Sequence, residues 1–195
     1  MEGLIEVSKL GVGIIGTGRI ATRHIAGYMR NINVEIRALC DTNHENLLKT
    51  RREFNLAGVA EYEDYNSLLE RGDIHLVSIC TPNYLHFEQS TAALNAGKHV
   101  LCEKPLCVSI DQCRCPVNAI RQCGLNLMTG QELRYPLKLQ SVKRLVNLGE
   151  FGDLFFCEAD YVDNKADVMQ GWRKVVEKLG SWFLEAGCHP VDLMV

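Results

Sequence analysis

Leu10-Gly11-Val12-Gly13-Ile14-Ile15-Gly16-Thr17-Gly18-Arg19-Ile20-Ala21 holds two overlapping glycine patterns. Gly11-x-Gly13-x-x-Gly16 matches G-x-G-x-x-G, and Gly16-x-Gly18-x-x-Ala21 matches G-x-G-x-x-A. Only one can be a phosphate turn, because that turn follows a strand and opens a helix whose amino end faces the pyrophosphate. Lys9 to Ile15 is short, apolar and rich in β-branched residues, so it reads as a buried strand containing Gly11 and Gly13. The second frame is therefore the turn. Gly16 makes the tight bend, Gly18 lets the backbone approach the phosphates, and Ala21 permits close helix–strand packing. Arg19 and Ile20 lie within the same cofactor loop.

The surrounding chain supplies the context that a lone fingerprint lacks. A helix is predicted from Ile20 to Asn31, then a strand over Val34 to Cys40 that ends at Asp41. Asp41 follows the turn by about 25 residues, near the interval of about 20 at which an acidic residue meets the adenosine ribose. A 2′-phosphate there would face a like charge, so NAD is expected rather than NADP. The competing reading of Asp41 is a turn or helix-capping residue. Further helices are predicted over His44 to Phe54, Tyr65 to Arg71, Phe87 to Ala96 and Ser109 to Gln122. Strands are predicted over His75 to Cys80, His99 to Cys102 and Asn126 to Thr129. Short apolar strands alternating with helices predict an α/β fold, a doubly wound parallel sheet covered on both faces.

The pattern changes near residue 130, which divides the chain into a Rossmann domain (1–130) and a partial substrate domain (131–195). In the second part a helix is expected from Pro136 to Leu148, a strand from Leu154 to Tyr161, and a helix fragment at the end. A lone strand cannot satisfy its own backbone groups. The expectation is therefore a fragment of a longer protein, or partners supplied by another chain.

Composition narrows the function classes. The 195 residues carry a net charge of −3 with no basic block, against a nucleic-acid or membrane-surface footprint. No apolar run reaches the roughly 18–20 residues needed to span a bilayer. The start, Met1 to Glu6, is acidic and lacks the basic region of a signal peptide, so a cytoplasmic protein is expected. Five of the nine cysteines cluster at 102, 107, 113, 115 and 123. Their spacing offers no C-x-x-C, so reduced apolar fillers are expected and no metal.

Four more segments follow in order: Thr81-Pro82-Asn83-Tyr84-Leu85-His86, Glu103-Lys104-Pro105-Leu106, Arg134-Tyr135-x-Leu137 and Gly187-Cys188-His189-Pro190-Val191-Asp192. Together with the turn they resemble the glucose–fructose oxidoreductase / inositol dehydrogenase (Gfo/Idh/MocA) family. The resemblance implies an NAD(P)-dependent oxidoreductase acting on a hydroxyl or keto carbon of a sugar, cyclitol or related compound. It implies a second domain with a large open sheet, of the dihydrodipicolinate-reductase-like kind. Through that sheet the full-length form would pair into a homo-oligomer. An exposed sheet edge left without its partners would favour aggregation.

By the same resemblance, Lys104 sits beside the nicotinamide and stabilises alkoxide charge, and His189 is the general acid/base. Glu185 stands where the family often carries aspartate, four residues before the histidine, so its role is open. Thr81, Pro82, Asn83 and His86 would pack along the cofactor, with His86 equally suited to packing its own helix. Glu103 would position the nicotinamide end. Tyr135, Trp172 and Arg173 are candidate substrate contacts. The alternative to an enzyme is a truncated, non-catalytic dinucleotide-binding or regulatory protein.

Overall fold

The computed structural model describes residues 9–112 and 124–195. Six strands form one parallel sheet: β1 (Leu10–Ile15), β2 (Val34–Cys40), β3 (Ala60–Tyr62), β4 (Leu76–Ile79), β5 (His99–Cys102) and β6 (Leu127–Thr129). Their order is β3-β2-β1-β4-β5-β6. The order reverses direction between β1 and β4, which is the switch point where doubly wound sheets bind ligands. Helices α1 (Ala21–Met29), α2 (His44–Glu53), α3 (Tyr65–Leu69) and α4 (Asn83–Asn95) connect the strands.

Sheet and helices bury two apolar layers, one on each face. Ile15, Leu68, Val77, Ile79, Leu94 and Val100 belong to one, and Val12, Ile14, Ile25, Leu39 and Leu47 to the other. Each fully buried aliphatic side chain contributes about 1.5–3 kcal/mol. Side-chain caps start two of the helices. Asn43 accepts from the Glu45 N–H at 2.9 Å, and Asp64 from the Asn66 N–H at 3.1 Å.

Gly11 and Gly13 lie inside β1, as the choice of frame requires. Both are needed for close packing. A Cβ on Gly11 would sit 1.9 Å from the Asp73 carbonyl oxygen, and one on Gly13 would sit 2.7 Å from Leu68 Cδ2.

Two expectations need correction. The sheet has a strand absent from the reading above, β3, whose three residues Ala-Glu-Tyr are too few to show a period. The strand expected over Leu154 to Tyr161 does not form. The segment finds no ladder partner among the described residues, and its side chains stand out: Phe155 is 99% exposed and Phe156 73%. The helix expected over Ser109 to Gln122 lies largely outside the described residues, as do Cys113, Cys115 and Cys123. No helix among the described residues is long and apolar enough to cross a membrane.

After β6 come a 3-10 turn (Glu132–Arg134), α5 (Leu137–Asn147), a second 3-10 turn (Gly171–Lys174) and α6 (Val176–Leu179). A π-helical turn (Phe183–Gly187) then runs into α7 (Cys188–Met194). Arg134 and Asp192 form a two-pronged ion pair, with Arg134 Nε donating to Asp192 Oδ2 at 2.7 Å. That pair brings two of the four motif segments together and holds the first 3-10 turn against α7.

Candidate cofactor and substrate cleft

A cleft of about 970 Å³ opens at the carboxyl ends of the strands. One end is built by the turn after β1. Gly16 has φ 86°, and a Cβ there would lie 2.8 Å from the Cys80 carbonyl carbon, so backbone angle and space both demand glycine. Gly18 lines the cleft, and a Cβ added to it meets nothing within 4 Å. A glycine in that position leaves room only for what enters the cleft, which suits a close phosphate. Arg19 and Ile20 line the same end.

Asp41 follows β2 and reaches back to the turn. Its Oδ2 accepts from the Thr17 N–H at 2.8 Å and the Thr17 hydroxyl at 2.9 Å, and its Oδ1 accepts from the Asn43 N–H at 2.8 Å. The turn-residue reading of Asp41 is thus realised. The carboxylate also lines the cleft, with lone pairs to spare for ribose hydroxyls.

Thr81, Pro82, Asn83, His86, Glu103 and Lys104 line the middle of the cleft. His86 is enclosed, 1% exposed, with Nδ1 2.7 Å from the Pro105 carbonyl oxygen and Nε2 2.8 Å from that of Thr81. Burial holds this imidazole below its ordinary pKa, against the pull of the two carbonyls. Its contacts tie the Thr81 loop to the Lys104 turn.

Lys104 Nζ donates to the Glu185 carbonyl oxygen at 2.8 Å and lies 3.6 Å from Glu185 Oε1. That carbonyl belongs to the π-helical turn, whose wider winding is common at functional sites. Glu185 Oε2 accepts from Asn83 Nδ2 at 2.9 Å, and the same amide donates to the Leu179 carbonyl at 3.1 Å. Arg173 Nε stands 3.6 Å from Glu185 Oε1, and its guanidinium stacks over the Trp172 ring at 4.3 Å. One carboxylate therefore serves two cations and an amide. Asn83→Ala, which leaves two acceptors without their donor, is expected to lower stability by about 1–3 kcal/mol. Thermal denaturation checks this, and an unchanged midpoint would mean the bridge contributes nothing.

His189 is 3% exposed. Its Nε2 lies 3.8 Å from Glu132 Oε1, its ring meets Tyr161 with centroids 4.9 Å apart, and its Nδ1 has no hydrogen-bond partner among the described residues. Burial lowers the His189 pKa; Glu132 opposes the shift and the Lys104 charge adds to it. A neutral imidazole is the form such a setting favours.

The sequence-predicted residues thus converge on one cleft, with one exception. Tyr135 is half exposed, its hydroxyl facing Met128 Sδ at 4.0 Å, and it does not line the cleft. Glu132, Tyr161, Lys165 and Trp182 line it without having been expected. Glu132 could have been sought beside the Arg134 motif, whereas Tyr161 was hidden in the strand that does not form.

Comparisons with known proteins agree with this fold. The family described as "Oxidoreductase family, NAD-binding Rossmann fold" (Gfo/Idh/MocA) matches residues 10–131. D-glucoside 3-dehydrogenase of Escherichia coli is 28% identical over 196 residues, 98% of this chain and 55% of its own. A glycosyl hydrolase family 109 protein of Shewanella pealeana is 30% identical over 184 residues, 91% of this chain and 40% of its own. Among solved structures, scyllo-inositol dehydrogenase of Lactobacillus casei, with NAD(H) and scyllo-inositol bound, is 30% identical with a TM-score of 0.69. That match covers 75% of this chain and 43% of the other. The chain spans roughly half the length, or less, of these relatives. With the family matched over residues 10–131, which include the whole sheet, the chain belongs to the Gfo/Idh/MocA oxidoreductases with an NAD-binding Rossmann fold.

Proposed function

We propose that this protein transfers a hydride between NAD and a hydroxyl or keto carbon of a neutral sugar, cyclitol or related polyol. Residues 1–130 hold the cofactor and residues 131–195 contribute to the substrate side. The observation that carries this reading is the meeting of Lys104, Glu185 and Arg173 in the cleft that begins at Gly16 and Asp41 and also takes in His189. The choice of NAD over NADP rests on Asp41, whose carboxylate would repel a 2′-phosphate.

A bound nicotinamide supplies the hydride acceptor or donor. The remaining work falls to the chain. His189, neutral in its buried setting, takes the proton of the substrate hydroxyl. The Lys104 ammonium, held by the Glu185 carbonyl, stabilises charge on the substrate oxygen. Glu185 balances Lys104 and Arg173, and Trp172 offers a flat apolar surface to a polyol ring. Lys165 is paired with Asp163. Lys104 and Arg173 share Glu185, and with Asp163, Glu132 and Asp167 also lining this end of the cleft the three cations are not in excess, which favours uncharged substrates over sugar acids or phosphates.

The test is a titration of the chain with NADH and NADPH, following nicotinamide fluorescence. NADH is expected to bind at least about tenfold more tightly than NADPH. Asp41→Ala should weaken NADH by about 1.4 kcal/mol or more, a factor of ten, and narrow that preference. Absence of NADH binding by folded protein would overturn the proposal. A screen of the protein on inositols and uronic acids then tests the substrate class, with oxidation of the acid alone contradicting it.

A further inference from the structure

We infer that His24, on the phosphate-binding helix, is a positioning residue for the Glu103 carboxylate, through a hydrogen-bonded chain that starts at Ser78. His24 Nδ1 lies 2.7 Å from Ser78 Oγ, and Nε2 lies 2.9 Å from Glu103 Oε1. The two charged-group side chains are nearly enclosed, 11% and 13% exposed, and Ser78 is fully buried in β4. A carboxylate only accepts, so Nε2 carries the hydrogen. In the neutral ring Nδ1 then accepts the Ser78 O–H, and one tautomer satisfies all three groups.

Ser78 stands opposite Ile14 of β1 and Leu101 of β5, in the middle of the sheet. The chain is therefore anchored at a rigid point. From there it crosses α1 and ends on Glu103, whose Oε2 accepts from the Lys104 N–H at 3.3 Å. Gly130 closes the other side, since a Cβ there would stand 3.2 Å from Glu103 Oε1. Nothing in the phosphate turn itself requires an imidazole at position 24. A packed apolar pair would suit stability as well as a buried ionic one does. What the polar chain adds is a fixed orientation of Glu103 beside Lys104, coupling the helix that receives the pyrophosphate to the turn that carries the lysine.

The groups facing Glu103 are His24 from α1, Lys104 on its own segment, His86 from α4, and the thiols of Cys80 and Cys102. Burial alone would raise this carboxyl; the hydrogen bond from His24, with the Lys104 N–H and ammonium, brings it below the usual range. The functional meaning rests on the proposed cofactor reading, but the geometry does not.

The experiment is carboxyl carbon NMR of the cofactor-free chain against pH, with Glu103 assigned through Glu103→Gln, followed by NADH titration. In the parent chain Glu103 is expected to stay ionised below the ordinary carboxylate midpoint. His24→Leu should move that midpoint up by about one unit or more and weaken NADH on the order of tenfold. His24→Gln, which keeps an N–H donor, should recover most of both effects. An identical Glu103 midpoint in the parent and His24→Leu would overturn the inference. If His24→Leu does not fold, the nitrogen spectrum of the parent decides. A hydrogen on Nε2 supports the chain, and an Nδ1–H tautomer overturns it. Failure of the parent to bind NADH would strike the cofactor reading alone, because the carboxyl titration needs no cofactor.

Discussion

Gly16→Ala is expected to melt on the order of 10 °C below the parent chain and to lose NADH binding, while Gly18→Ala melts with the parent and loses NADH binding alone. The two glycines lie two residues apart in one motif, yet they are glycine for different reasons. At Gly16 the backbone has φ 86°, where an L-residue costs about 1–2 kcal/mol. A Cβ there would also meet the Cys80 carbonyl carbon at 2.8 Å and its oxygen at 2.9 Å, and backbone cannot turn aside as a side-chain end can. Overpacking of that kind adds about 1–3 kcal/mol. The sum, about 2–5 kcal/mol, corresponds to about 2–4 °C per kcal/mol in a chain of this length. Gly18 carries neither burden, because its Cβ would meet no protein atom within 4 Å. Its substitution touches only what occupies the cleft. Calorimetry with NADH titration reads both. A Gly18→Ala variant that binds NADH as tightly as the parent would refute the assignment of the second glycine frame as the phosphate turn.

The second large effect is on His189. In protein that oxidises a polyol, His189→Ala should lower kcat by about 10²–10⁴-fold while leaving NADH affinity within about twofold. The pH dependence follows from the direction of its shift. Burial disfavours the charged ring, so the folded-state value lies below the ordinary 6.5. The neutral base is therefore already present at neutral pH, and the acid limb of the oxidation rate should fall below pH 6.5 and vanish in the variant. Stability follows the same sign. The unfolded chain takes up the proton first, so the contribution of a neutral His189 is lost as pH falls from about 6.5 towards the folded-state value. A pH–rate profile with its acid limb unchanged in His189→Ala would remove this residue from the proton transfer.

Much of this could be read along the chain. β2 occupies Val34–Cys40 as expected, and β1, β5 and the choice between glycine frames follow from short apolar runs, the first of them halted at Gly16. These are local properties, decided within a few residues. β3 escaped because an edge strand of three residues is made by its neighbour β2 rather than by its own pattern. Leu154 to Tyr161 failed in the opposite sense, since its composition favours a strand while strand formation needs a partner. Tyr135 lies outside the cleft because position in a motif does not say which way a side chain faces.

The doubly wound parallel sheet, the glycine turn after β1 and the acidic residue after β2 were thus within reach of sequence, since each depends on neighbours in the chain and on the small set of ways in which βαβ units wind. The rest depended on contacts between residues far apart. Asp41 spends its carboxylate on Thr17, Glu185 is shared by Asn83, Lys104 and Arg173, and His24 links Ser78 to Glu103. No spacing rule announces such pairs, because separations of 12 to 102 residues are closed only when the sheet assembles and brings its carboxyl ends to one cleft.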